Sequence, residues 1–433
     1  IGMARRGVPG PVFVEIPVDL LYQESIGKGW TMAMVRGKGP MMNAVRKYMQ
    51  YHLKNKFSRA WQQQPTEPVP SARMQPAEES LRKVKAILNW SERPMMIIGS
   101  QALIDAPRAV ELQSGVIRLG IPTYLSGMAR GLLGKHPLHL RHARGKAIKE
   151  ADAVILAGLP MDFRLGYGAG IPRSTTLVSV NRSRRDLRMN RKPTVPIQAD
   201  ACELLCGLSA AVGAPPLRWQ EWHETLLGRD RQRDQEIEES ARGNGQMVNP
   251  GRFLKQLDAL LDDDSILIGD GGDFVSTASY VVRPRCPLSW LDPGAFGTLG
   301  AGGGFALAAG CVRPKSEIWL LYGDGSCGYS LAEFDTYARQ NIPVIAVVGN
   351  DGGWTQIARE QVEIFGTALG TELLRTDYER VAEGYGGVGL RIDHADQVEE
   401  TLRQAKSIAR QGRPVLVNVL LDKNDFRKGS VSM

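Results

Sequence analysis

Cysteine is scarce. Only Cys202, Cys206, Cys286, Cys311 and Cys327 occur in 433 residues, and none forms a CxxC pair. An odd, scattered set excludes a disulfide framework and predicts reduced, mostly buried thiols. Cys202 and Cys206 lie one helical turn apart and read as part of a core face. Histidine is also sparse. His136, His139 and His142 recur every third residue, but no acid or cysteine cluster completes a zinc shell, and Pro137 predicts a loop. No stretch reaches the roughly 18 consecutive apolar residues of a membrane-spanning helix. Aromatic residues make up 7%, and no basic segment interleaved with aromatics is found, which argues against nucleic acid as a partner. There is no internal repeat and no low-complexity tract. The chain opens at Ile1 rather than at an initiator methionine, which leaves room for a signal or anchor upstream.

What is present is ordinary for a globular protein: 43% apolar and 23% charged residues. The length predicts two or more domains, each able to bury its own core. A net charge of +8 suits anionic small molecules as well as membrane surfaces.

The most informative stretch is Gly323-Asp324-Gly325-Ser326, fed by the apolar run Ile318 to Tyr322. Helical spacing follows, with Leu331, Phe334, Tyr337 and Ala338 on one face. A second strand, Val344 to Val348, then leads into Gly349-Asn350-Asp351-Gly352-Gly353-Trp354. Two glycine-rich turns at the carboxyl ends of parallel strands lie where open α/β sheets bind ligands. An acid on one turn and an amide with a backbone carbonyl on the next can share one hard divalent cation, and glycine frees N–H groups for phosphate oxygens. A second constellation runs from Asp292-Pro293-Gly294-Ala295-Phe296-Gly297-Thr298-Leu299-Gly300 into Gly302-Gly303-Gly304. Its glycines let backbone approach a flat ligand or a neighbouring helix closely. A dinucleotide fingerprint at Gly302 and Gly304, with a nicotinamide oxidoreductase behind it, competes. That fingerprint needs a strand directly before it, and Trp290 to Phe296 is a poor one.

These motifs resemble those of thiamine-diphosphate (ThDP) enzymes, whose diphosphate-binding motif begins Gly-Asp-Gly and closes on a downstream Asn. The resemblance assigns Asp324 to Mg²⁺, Gly323, Gly325 and Ser326 to the diphosphate, and Asn350 and Gly352 to the metal shell, with Gly353 and Trp354 completing the turn. Asn350 lies 26 residues after Asp324, as the family spacing requires. The first Asn of the family's usual Asn-Asn-x-Gly is replaced by Gly349, and Asp351 offers an alternative or additional oxygen ligand. Gly297 would present its carbonyl to the cofactor's 4′-amino group, and Leu299 would wedge the cofactor into a bent shape that speeds its own deprotonation. Trp354 reads equally as a cover for the cofactor and as a core residue.

The resemblance also implies an organisation. Gly7 to Asp19 reads as one strand with a proline turn and resembles the end of a pyrimidine-binding domain, so residues 1–22 would close such a domain. The glutamate that activates the cofactor would then lie outside this chain, no catalytic residue is assigned within it, and the segment alone is expected to be inactive. Residues 23–75 read as a connector with a short helix near Asn43 to Leu53. Residues 76–215 read as a central Rossmann-like domain, 216–245 as a charged linker, and 246–433 as the diphosphate-binding domain. The expected fold class is α/β, built from Rossmann-like parallel sheets. In the family the central domain holds FAD, ADP or CoA, or nothing. Arg182, Arg184, Arg185 and Arg188 follow its Thr176 to Val180 strand and read either as a phosphate site or as a solvated basic loop.

Within this group of acetolactate synthases, oxalyl-CoA decarboxylases and 2-hydroxyacyl-CoA lyases, the wording Gly-Asn-Asp-Gly-Gly-Trp-Thr-Gln is closest to animal acetolactate synthase-like proteins. That implies ThDP- and Mg²⁺-dependent cleavage of a 2-hydroxyacyl-CoA to a shortened fatty aldehyde and formyl-CoA, as in fatty acid α-oxidation. It further implies an endoplasmic reticulum location with an anchor upstream, and a homodimer or homotetramer. The terminal Ser430-Val431-Ser432-Met433 is not a peroxisomal signal. An acetolactate synthase-type carboligase and an inactive scaffold or regulatory subunit remain as alternatives.

Overall fold

The computed structural model describes residues 2–5, 7–58, 62, 64, 73–243 and 245–423. The C-terminal tetrapeptide and part of the 23–75 segment lie outside them. The chain divides into two compact units, Ile1–Arg73 and Met74–Met433. The first carries helices at Glu24–Met34 and Pro40–Phe57, so the expected connector is more helical than its composition suggested. The strand expected between Gly7 and Asp19 is absent. Residues 9–17 are neither helix nor strand, and Phe13 is 90% exposed. An extended segment becomes a strand only with a ladder partner, and none pairs with it among the described residues.

The second unit holds two six-stranded parallel sheets. The first is ordered β3-β2-β1-β4-β5-β6, with β1 Pro94–Ile98, β2 Thr123–Leu125, β3 His139–Leu140, β4 Ala153–Ala157, β5 Thr176–Asn181 and β6 Val195–Gln198. This is the doubly wound order of Rossmann folds. The second is ordered β11-β12-β10-β9-β7-β8, with β7 Ile266–Gly269, β8 Trp290–Leu291, β9 Ile318–Gly323, β10 Val344–Asn350, β11 Val388–Ile392 and β12 Val415–Leu420.

The central strands β1, β4, β9, β10 and β12 are buried along their whole length. Helices cover both faces of such a sheet, and that is why these strands read as unbroken apolar runs rather than alternating ones. Each sheet accordingly has two hydrophobic layers. In the second, Trp319, Leu321 and Val347 face one layer, while Leu320, Tyr322 and Val348 face the other. Helix Val398–Arg410 shows the pattern that closes a layer: Val398, Leu402, Ala405 and Ala409 are buried on one stripe.

Within the 216–245 segment, read as a charged linker, the structure forms a 23-residue helix, Trp219–Ala241, and the charged residues from Arg229 onward are its second half. Its buried face carries Trp219, Trp222, Leu226, Asp230, Ile237 and Ala241. Asp230 is tolerated there because its carboxylate accepts the backbone N–H groups of Arg141 and His142, both at 2.9 Å. The paired cysteines sit as expected: Cys202 is buried, with its Sγ 3.9 Å from that of Cys206.

Leu320 is fully buried on β9. Leu320→Ala should destabilise the second sheet by about 2–5 kcal/mol, read as a lower guanidinium midpoint. An unchanged midpoint would contradict this layer assignment.

Candidate active site

Strands β9 and β10 are adjacent and in register, Gly349 opposite Gly323, so the two glycine-rich turns emerge side by side. The helix Asp324–Ser330 starts directly after β9, so the glycine-rich turn read from the sequence is the first turn of a short helix. Asp324 is 3% exposed and joins the turns. Its Oδ1 accepts Gly325 N–H at 2.8 Å, and its Oδ2 accepts Gly352 and Gly353 N–H at 2.8 and 2.9 Å. Burial pushes this carboxyl above its ordinary range while the three amides pull it back. The Tyr378 hydroxyl donates to the Asp324 carbonyl at 2.9 Å.

Asn350 is fully buried at the end of β10. Its Nδ2 donates to the Thr376 carbonyl and to Asn418 Oδ1 at 3.1 and 3.2 Å. Its Oδ1 has no hydrogen-bond partner. A buried amide oxygen left open is costly, and a hard cation is the kind of group that satisfies it. Gly352 shares its N–H with Asp324, and its carbonyl accepts Leu373 N–H at 3.0 Å, which leaves one lone pair. Asp351 lines the cavity with its carboxyl pushed up to about 6, by burial first and also by the nearby Asp324 and Asp273 charges. Among the described residues no cluster of three His, Cys, Asp or Glu side chains is gathered for a metal. The three histidines are engaged elsewhere: His139 with the Gly134 carbonyl at 3.0 Å, His136 with Leu138 N–H at 3.2 Å, and His142 with Asp234 at 3.2 Å.

Close approach explains the glycines. A Cβ on Gly325 would lie 2.5 Å from the Trp354 ring, so the indole rests on bare backbone. A Cβ on Gly349 would lie 2.3 Å from Phe274, which accounts for glycine at the position where the resembling motif has its first Asn. Gly297 adopts φ +59°, with open space around its α-carbon.

A third turn was not anticipated. β7 ends in Gly269-Asp270-Gly271-Gly272, the same Gly-Asp-Gly tripeptide that marks β9. No Asn follows it at the 26-residue spacing that distinguishes the Asp324 motif. Asp270 is fully buried and accepts Gly300 and Gly302 N–H at 2.7 and 2.9 Å, which pins the glycine run. The Gly271 carbonyl accepts Gly323 N–H at 3.0 Å, and a Cβ on Gly271 would lie 2.4 Å from Leu299. Other unforeseen anchors are Arg375, which donates to the Asn350 carbonyl at 2.7 Å, and the Arg359–Asp273 pair, bonded twice at 3.0 Å.

The turns open on a cavity of about 870 Å³, near the top of the size range for ligand pockets. Gly297, Leu299, Gly323, Asp324, Gly325, Ser326, Gly353 and Trp354 line it. Asn350 and Gly352 are not among its lining residues; Gly352 is bonded to Asp324 through its N–H, and Asn350 ends the strand paired with β9. Gly302 and Gly304 lie within helix Ala301–Val312, well past the two-residue β8. A dinucleotide fingerprint requires a strand leading straight into the glycines.

The comparisons agree with this geometry. Residues 81–208 match the family model "Thiamine pyrophosphate enzyme, central domain", and residues 270–419 match "Thiamine pyrophosphate enzyme, C-terminal TPP binding domain". The chain is 45% identical over 442 residues to 2-hydroxyacyl-CoA lyase 2 of Bos taurus, covering 99% of this chain and 69% of that protein. It is 44% identical over 445 residues to the protein of the same name in Caenorhabditis elegans, covering 100% and 69%. A probable acetolactate synthase of Mycobacterium bovis is 33% identical over 355 residues, covering 80% and 62%. The chain belongs to the thiamine pyrophosphate enzyme family. The residues fit the cofactor: an open amide oxygen on Asn350, a buried carboxylate directly after the paired strand, and glycine backbone where side chains would clash.

Two outcomes check this site. Asp324→Ala should abolish ThDP binding in calorimetric titration, and unchanged affinity would refute the assignment. The second concerns pH. Asp270 is about 3.8 unfolded and is pushed to about 6 by burial when folded, so the folded state holds more protons between those values. Its contribution to stability therefore falls as pH rises from about 4 to about 6. Asp270→Asn, which cannot titrate, should flatten that part of the stability–pH curve; an unchanged curve would contradict it.

Proposed function

We propose that the protein is a ThDP- and Mg²⁺-dependent lyase that cleaves 2-hydroxyacyl-CoA to a shortened fatty aldehyde and formyl-CoA. The observation that carries this reading is identity of 42–45% with five animal proteins named 2-hydroxyacyl-CoA lyase 2, across 99–100% of the chain. The acetolactate synthase relative is more distant and spans less of the chain.

In the proposed reaction the bond between C1 and C2 of the acyl group breaks. C2 keeps its oxygen and becomes the aldehyde carbon, while C1 gains a proton and departs as formyl-CoA. When bound, the cofactor supplies an electron sink for that cleavage. The protein's part is to hold and orient. Asp324, the Asn350 Oδ1 and the Gly352 carbonyl would hold Mg²⁺, with Asp351 a further oxygen donor at the cavity wall. Gly325 and Ser326 would line the diphosphate. Gly297 and Leu299 would set the cofactor's bend, with Asp270 fixing the following residues through Gly300 and Gly302. Trp354, stacked on Gly325, would exclude water from one side. A preformed site of this kind holds its dipoles in place before reaction.

Assembly as a homodimer or homotetramer is part of the proposal. Beside the site, helix Thr355–Phe365 buries none of its residues, and Ile357, Ile364 and Phe365 are 56%, 69% and 72% exposed. Contiguous exposed apolar surface of this kind marks interaction faces. Location at the endoplasmic reticulum membrane is proposed from the sequence resemblance and is testable by fractionation. Among the described residues no helix is long and apolar enough to cross a membrane.

The reading predicts aldehyde and formyl-CoA when the full-length protein, rather than this segment alone, is given a long-chain 2-hydroxyacyl-CoA with ThDP and Mg²⁺, and no acetolactate from pyruvate. Acetolactate formation, or silence on both substrates, would contradict it.

A further inference from the structure

Strand β12 is an apolar run broken once, by Asn418, which is fully buried. A buried amide is tolerated where its polar atoms find partners. Asn418 lies opposite Val348 of β10 and opposite Arg391 of β11. Side chains alternate along a strand, so Asn350, two residues beyond Val348, shares the face of Asn418. The helix Tyr378–Gly384 brings a third buried polar group, Glu379, to these two amides.

Together these groups decide which way each amide is turned. Glu379 Oε2 accepts from Asn418 Nδ2 at 2.6 Å, and Glu379 Oε1 accepts from the Arg391 guanidinium at 3.4 Å. A carboxylate offers only acceptors, so Asn418 turns its NH₂ toward Glu379 and its Oδ1 away. That oxygen accepts from Asn350 Nδ2 at 3.2 Å. The Thr376 carbonyl, also only an acceptor, takes an N–H from each amide, at 3.1 Å from Asn350 and 3.0 Å from Asn418. Both N–H groups of Asn350 are thereby engaged, and its Oδ1 is left without a partner. Turning that amide over would set its oxygen against two acceptors and put an NH₂ where the open oxygen stands.

We propose that Glu379 and Asn418 are positioning residues for the metal, which hold the Asn350 amide so that it offers the cation its oxygen rather than its NH₂. An NH₂ group is a donor with nothing to give a hard divalent cation, whereas an amide oxygen is one of its usual ligands. The same helix reaches the other proposed ligand: Tyr378, next to Glu379, donates to the Asp324 carbonyl at 2.9 Å. A role in packing alone accounts less well for the pair, because apolar residues would fill positions 379 and 418 with no carboxylate to desolvate. The assignment rests on the Mg²⁺ site of the proposed function, adds the groups that aim its amide ligand, and does not depend on which substrate is cleaved.

The test is calorimetric titration of ThDP into the full-length protein at stepped Mg²⁺ concentrations, read as the Mg²⁺ needed for half-maximal binding. Groups that orient a metal ligand typically contribute about 10- to 100-fold to metal affinity. Glu379→Gln is nearly isosteric, but its amide can present an NH₂ to Asn418, and it should raise the Mg²⁺ requirement roughly 10-fold. Asn418→Leu, which removes the link to Asn350, should raise it by up to about 100-fold. Saturating Mg²⁺ should restore the wild-type ThDP affinity, a rescue that a misfolded protein would not show. Should Asn418→Leu fail to fold, Glu379→Gln decides alone. A wild-type Mg²⁺ requirement in Glu379→Gln overturns the proposal, as does a loss of ThDP binding in it that saturating Mg²⁺ leaves unrepaired. Asn350→Leu separates this proposal from the reading beneath it. A raised requirement in Asn350→Leu with none in Glu379→Gln removes the positioning role alone, whereas an unchanged requirement in Asn350→Leu removes the metal site as well.

Discussion

The site depends on one buried carboxylate. Asp324 ends β9, and through its two oxygens it collects the amides of Gly325, Gly352 and Gly353. Those bonds fix the turn after β10 relative to the turn after β9. On the paired strand β10, Asn350 keeps an amide oxygen with no hydrogen-bond partner. Burial raises the pKa of this carboxyl, the three backbone N–H groups offset part of that rise, and the anion they favour is what a divalent cation requires. Without it the two strands would still pair, but their turns would have no common centre.

Around this clasp, glycine permits contacts that any side chain would prevent. Trp354 rests on Gly325, Leu299 on Gly271 and Phe274 on Gly349. Asp270 repeats the same device on the neighbouring strand, taking the amides of Gly300 and Gly302. Two Gly-Asp-Gly turns thus organise two halves of one cavity, the first around a candidate metal and the second around the glycine run.

Much of this was legible in the sequence. Strands buried on both faces read as unbroken apolar runs, and the Gly-Asp-Gly and Asn-Asp-Gly-Gly turns sit at their ends with telling spacing. What was not legible depended on distant partners. Asp230 interrupts the apolar stripe of helix Trp219–Ala241, and only the amides of Arg141 and His142, far off in sequence, make it acceptable inside. With the many charged residues around it, that acid hides the helical stripe, and the segment reads as a charged linker. Arg375 carries no local pattern, because the carbonyls it serves are those of Asn350 and Leu421. The segment 9–17 erred in the other direction: β-type residues were present, but a strand also needs a partner.

The most direct test of the account is hydrogen exchange at the amides of Gly352 and Gly353 in the cofactor-free protein. If Asp324 holds them as described, both should be strongly protected, and Asp324→Ala should release them while leaving protection within β9 and β10 intact. Exchange at the rate of an open loop in the unaltered protein would contradict the clasp, and with it the basis for placing metal and diphosphate there.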